Sequence, residues 1–212
     1  MVATALPSRR WHPMPTAGGK GAAQRLASRP LIALFVALLG TGFAIGALNV
    51  WAVAMAETSH TGILAGLLPA AFSTGAFLGG LLYGRRTWPG STGRQLIAGS
   101  GAFLAGWLPL LALPGPYAAS AVVVLPGAFL TVVITCAYAT TDALTPAGRT
   151  SEAYAWLILS IGAGQAAGTA LAGRLADHAL VIAALPAAGA AFALTVLLLA
   201  RPGLVPAHRE PA

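Results

Sequence analysis

The sequence predicts an all-α membrane protein with six transmembrane helices, and three observations carry that prediction. Asp, Glu, Lys and Arg are absent from residues 31–56, 61–84, 95–141, 153–173 and 179–200. The chain is 57% hydrophobic and only 8% charged, against roughly 25% charged in soluble domains. The basic residues gather at alternate ends of the apolar runs. A helix needs about 20 mostly apolar residues to cross a hydrocarbon core, where its backbone polar groups must be satisfied within the helix.

Taken in order, residues 31–56 form the first span and 61–84 the second. The uncharged run 95–141 is too long for one crossing, and Pro114-Gly115-Pro116 interrupts it with strong helix breakers. It divides into spans at 95–113 and 117–141. The fifth span covers 153–176 and the sixth 179–200. Pro69, Pro109, Pro126 and Pro186 should kink or break their helices locally, with Pro126-Gly127 as the expected hinge. Around this single membrane domain, residues 30–201, lie a basic arm at 1–29 and a tail at 202–212. The Pro/Gly/Ala-rich arm reads as a flexible linker.

Ser8-Arg9-Arg10-Trp11-His12 has the look of a twin-arginine export signal. The run 31–56, however, is longer than the 7–15 apolar residues of a cleavable signal, and a polar stretch separates it from the arginines. The run is read as a retained span.

A net charge of +7 would suggest a nucleic-acid partner in a soluble chain, but here the positions of the charges decide the reading. Arg9, Arg10, Lys20, Arg25 and Arg29 precede the first span; Arg85, Arg86 and Arg94 follow the second; Arg149 follows the fourth; Arg201 and Arg209 follow the sixth. Only Arg174 lies at the opposite end. The positive-inside rule then places both termini in the cytoplasm. The expected surroundings are a lipid bilayer, with no nucleic acid.

Cys136 is the single cysteine, so no internal disulfide or cysteine metal cluster is available. His12, His60, His178 and His208 are peripheral and have no metal-ligand spacing. Neither a metal nor a cofactor is expected. No carboxylate falls near the middle of a span: Glu57 and Asp177 lie at outer ends, Asp142 and Glu152 bracket an inner loop, and Glu210 is in the tail. A proton relay is therefore not visible. Ala98-Gly99-Ser100-Gly101 resembles the G-x-S-G of rhomboid-type intramembrane proteases, but its first glycine is replaced and no histidine lies at depth to serve as base. An enzyme is not expected.

Uncharged polar residues at depth are the better candidates for contact with a solute: Asn49 in the first span, Thr135 in the fourth and Gln165 in the fifth. An amide in hydrocarbon requires a partner or a wet cavity. Interhelical hydrogen bonding answers the same penalty and is the competing role for Asn49 and Gln165. For Thr131 and Thr135 the competing role is a bond back to their own helix.

Gly75-x-x-Leu78-x-Gly80-x-Leu82 in the second span matches Gly168-x-x-Leu171-x-Gly173-x-Leu175 in the fifth. Equivalent places in two sets of three suggest an inverted 3+3 repeat. The same spacing also arises wherever small residues let membrane helices approach.

Three segments carry a family resemblance: the run from Gly75 to Trp88 leaving the second span, the run from Asp142 to Ala153 entering the fifth, and the run from Gly162 to Gly173 within it. With these, residues 30–200 resemble the C-terminal six-helix half of a major facilitator superfamily transporter, of the kind common among actinobacterial efflux permeases. The resemblance implies transport of a small molecule, with efflux of drugs or metabolites as the activity and a bacterial inner membrane as the location. It implies an MFS half-bundle working with a second six-helix half or as a homodimer, with residues 1–29 as the end of the central linker. The family's loop usually reads like G-x-L-x-D-R, and here Gly84 stands at the acidic place, so Arg85 should lack its usual partner. The alternative is a non-transporting membrane scaffold or assembly partner, or a decayed transporter fragment.

Overall fold

A computed structural model describes residues 28–112 and 114–204. Most of the basic arm, Leu113 and the tail from residue 205 lie outside the described residues, and so do Arg9, Arg10, Lys20, Arg25, Arg209, His12, His208 and Glu210. The described chain is helical, with six segments long and apolar enough to cross a membrane.

The first span is α1, Arg29–Thr58, with Pro30 in its first turn, where the missing N–H costs nothing. At 30 residues it is about 45 Å long, more than a hydrocarbon core requires. Its far end is closed by Thr58 Oγ1 donating to the Ala54 carbonyl at 2.9 Å and Ser59 Oγ donating to that of Met55 at 2.6 Å. His60, at φ 51°, then reverses the chain. The second span is α2, Leu64–Gly84, which runs unbroken through Pro69.

Proline shapes the next two spans. The third starts as α3, Thr92–Trp107, and tightens into a 3-10 turn at Leu108–Ala112 around Pro109. The fourth is split into α4, Pro116–Val122, and α5, Val124–Leu144. The Pro126 ring collides with the carbonyl four residues back, which belongs to Val122. The local break expected at Pro126-Gly127 therefore falls one turn earlier, at Val123. The fifth span is α6, Thr150–Arg174; the sixth is α7, Ala179–Leu199, continuous through Pro186 and followed by the short α8, Arg201–Leu204.

α1 lies at the centre, packed on α6, α7 and α2; α5 packs on α2 and α3, and α3 meets α7. Burial follows from this arrangement: 61% of the most apolar stretch of α1 is inside the bundle, against 28% for both α2 and α6, which form the perimeter. Exchanging the first three spans with the last three converts the α1–α6 pairing into α5–α2 and α1–α7 into α5–α3, and leaves α3–α7 in place.

Two seams bring backbones into direct contact. A Cβ on Gly42 or Gly46 of α1 would strike the carbonyls of Ile161 or Gln165 in α6, and one on Gly164 or Gly168 would strike those of Leu39 or Phe43. In the second seam, Gly75 and Gly79 of α2 lie against the carbonyls of Val124 and Ala128, while Gly127 of α5 lies against that of Phe72. In both seams residue numbers rise together, so the paired helices are parallel. Such closeness permits Cα–H···O contacts worth about 0.5–1 kcal/mol each. Within the two motifs matched in sequence, Gly75 and Gly168 are seam residues. Gly80 meets only a Thr131 methyl, and Gly173 meets nothing within 4 Å.

Candidate functional site

The α1–α6 seam fixes where two of the three candidate residues sit. The Gln165 carbonyl abuts Gly46, and Asn49 follows Gly46 by one turn, so the two amide side chains leave the seam within roughly 5 Å of the same level. Both are half-buried. Thr169 Oγ1 donates to the Gly46 carbonyl at 3.4 Å, adding a third polar group there. Neither amide side chain has a hydrogen-bond partner among the described residues. They remain available to a solute or to water.

Thr135 is elsewhere. It is exposed on α5, one turn nearer the Arg85–Arg86 end than Thr131. Thr131 Oγ1 donates across to the Ala76 carbonyl of α2 at 2.6 Å. The bond to its own helix expected for Thr131 is thus replaced by a link between helices, a consequence of the close α2–α5 seam.

The basic end of the bundle holds a polar cluster that the sequence did not single out. Tyr83 Oη donates to Gln95 Oε1 at 2.5 Å, and Gln95 Nε2 donates to the carbonyls of Trp88 at 3.0 Å and Gly90 at 3.3 Å. Trp88 Nε1 returns a bond to the Tyr83 carbonyl at 3.1 Å, and the two rings stack with centroids 5.7 Å apart. Cys136 Sγ lies 3.2 Å from Tyr83 Oη. Since the phenolic proton is given to Gln95, the thiol is the donor. The Arg86 guanidinium covers the Trp88 ring at 5.4 Å. A turn carrying Gly90 at φ 100° is thereby clasped to both helices it joins. The available signal was a tyrosine and a glutamine flanking a Pro-Gly turn at a membrane border.

Charge at this end is uneven. Asp142 Oδ1 accepts the Tyr154 hydroxyl at 2.6 Å, and Glu152 accepts Arg149 at 2.6 Å. Arg85, Arg86 and Arg94 form no ion pair among the described residues, in keeping with the acidic place taken by Gly84. Beside them an apolar crevice of about 520 Å³ runs between α2 and α3. A second, of about 530 Å³, lies between the start of α1 and the end of α7. Neither is lined by Asn49, Thr135 or Gln165.

Ser100 is buried, and its hydroxyl has no partner. The two described histidines, His60 and His178, are exposed in the turns before α2 and α7. Among the described residues no group of His, Cys, Asp and Glu could hold a metal ion.

No protein-family profile, no curated protein and no solved structure matches the chain.

Proposed function

We propose that this chain is one six-helix wall of a facilitator-type permease, moving a small organic molecule by alternating access, with efflux as the direction. It sits in a bacterial inner membrane with both termini in the cytoplasm and rocks against a second bundle, either a complementary half or another copy. The observation that carries this reading is the exchange pattern of the helix contacts. Two parallel, glycine-sealed pairs related by swapping three spans for three are what an inverted repeat produces, and transporter sites form at the interfaces of such repeats. Asn49 and Gln165, within about one helical turn of the same level on α1 and α6 and without partners among the described residues, are the groups assigned to the solute; Thr135 would contribute from the inner half of the same wall.

Transport assays test the assignment. In vesicles containing this chain together with a second bundle, Asn49→Ala and Gln165→Ala should each lower gradient-driven flux of a cationic dye about tenfold, the scale of a lost hydrogen bond to a buried polar group. Unchanged flux in both variants would remove the amides from the path.

Orientation has its own test. Gly115 and Thr87 are exposed at opposite ends of the bundle. In a Cys136→Ser background, which keeps a donor for Tyr83, Gly115→Cys should react with an impermeant maleimide on intact cells and Thr87→Cys should not. The opposite labelling would invert the topology.

A scaffold without transport is the second reading. It is favoured by the absence, among the described residues, of any ionisable carboxylate or histidine in the middle of a span.

A further inference from the structure

The crevice between α2 and α3 has the chemistry of an amphiphile site. It is lined by small residues, Gly79 on α2 and Ala98, Gly99 and Ala102 on α3, together with Phe129 and Val132 of α5. At about 520 Å³ it falls within the usual 300–1,000 Å³ of ligand pockets. It opens on the perimeter of the bundle, where its lining residue Leu82 is 68% exposed. Ala102, Ala98 and Arg94 follow one another along α3 at successive turns, so the groove runs about 12 Å from an apolar interior to a guanidinium.

Charge selects the occupant. Arg94 lines the mouth beside Trp88, and Arg85 and Arg86 stand in the adjoining turn. The two described carboxylates at this end are engaged with Tyr154 and Arg149, which leaves Arg85, Arg86 and Arg94 without a carboxylate partner among the described residues. An apolar groove facing lipid and ending in unpaired arginines is complementary to one acyl chain with an anionic head. A neutral or zwitterionic lipid would satisfy the groove but not the cations.

From this geometry we infer that the α2–α3 crevice is a binding site for one anionic phospholipid, its acyl chain along Ala98 and Ala102 and its phosphate at Arg94. This site is separate from the amides assigned to the solute.

Native mass spectrometry of the full chain in mild detergent, titrated with phosphatidylglycerol and with phosphatidylcholine, tests the inference. One phosphatidylglycerol should be retained in preference to phosphatidylcholine. Arg94→Gln should reduce that preference about fivefold, the effect of one basic residue near anionic lipid. Ala102→Phe should block the groove and remove the retained lipid of either type. Arg149→Gln, with the same loss of one positive charge at the same end but outside the crevice, should leave the preference intact. Thermal unfolding of each variant separates loss of lipid from loss of fold, and Arg94 is exposed, so its variant reports even if Ala102→Phe does not fold. Equal retention of both lipids, or equal effects of Arg94→Gln and Arg149→Gln, would overturn the site.

Discussion

Gly164→Leu should prevent recovery of folded protein in mild detergent, while Gly162→Leu, two residues away on the same helix, should be recovered normally. A side chain at Gly164 is driven into the Leu39 carbonyl of α1, a backbone group that cannot rotate aside. Relief requires separating α1 from α6, which also opens the contacts at Gly42, Gly46 and Gly168. Overpacking of a well-filled site costs about 1–3 kcal/mol, and loss of the linked close contacts adds to it. Marginal total stability leaves little room for that sum. A Cβ added at Gly162 would meet nothing within 4 Å, and leucine improves helix propensity by up to about 1 kcal/mol. Thermal unfolding and size-exclusion profiles of the two variants supply the comparison. Indistinguishable behaviour would mean that the α1–α6 seam is not the close backbone contact described.

The positions of the helices could be read from the sequence because the bilayer imposes them. A run without charge must be long enough to cross, and its ends must carry the polar groups, so 61–84 and 179–200 agree with α2 and α7 to within a few residues. Neighbour relations were not legible to the same degree. Hydropathy is nearly uniform around these helices, so it does not tell which face meets protein and which meets lipid. The glycines carry that information, but spacing alone does not separate Gly79, sealed against Ala128, from Gly80, which meets one methyl group. The Val123 break was displaced from Pro126 because a proline acts on the carbonyl four residues before it.

The candidate site was legible in part for a related reason. Desolvation marks any amide at depth, which singled out Asn49 and Gln165 as candidates, and the parallel register of α1 and α6 then brings them to within about one helical turn of the same level. For Thr135 the same penalty is weak, because a threonine hydroxyl in a helix can bond its own backbone, and its residue type says little about location. The clasp of Tyr83, Trp88, Gln95 and Cys136 joins residues from α2, the following turn, α3 and α5. No local spacing announces such a cluster.

The final expected result concerns how many bundles make a transporter. In vesicles reconstituted with fewer than one copy each on average, the chain alone should give no gradient-driven flux of a cationic dye. As copy density rises, flux per copy should increase with density, because the proposed active species is a pair formed by mass action. The reason lies in the proposed wall itself: Asn49 and Gln165 sit at the α1–α6 seam and line neither of the two crevices described, and alternating access needs an opposing surface to close the path. α2 and α6, each 28% buried along the apolar stretch, offer the faces that a second bundle would cover. Adding a complementary six-helix half should restore flux at low density without the density dependence. Flux per copy that is constant from the sparsest vesicles upward would show that a single bundle encloses a complete path, and would overturn the proposal of a half-transporter.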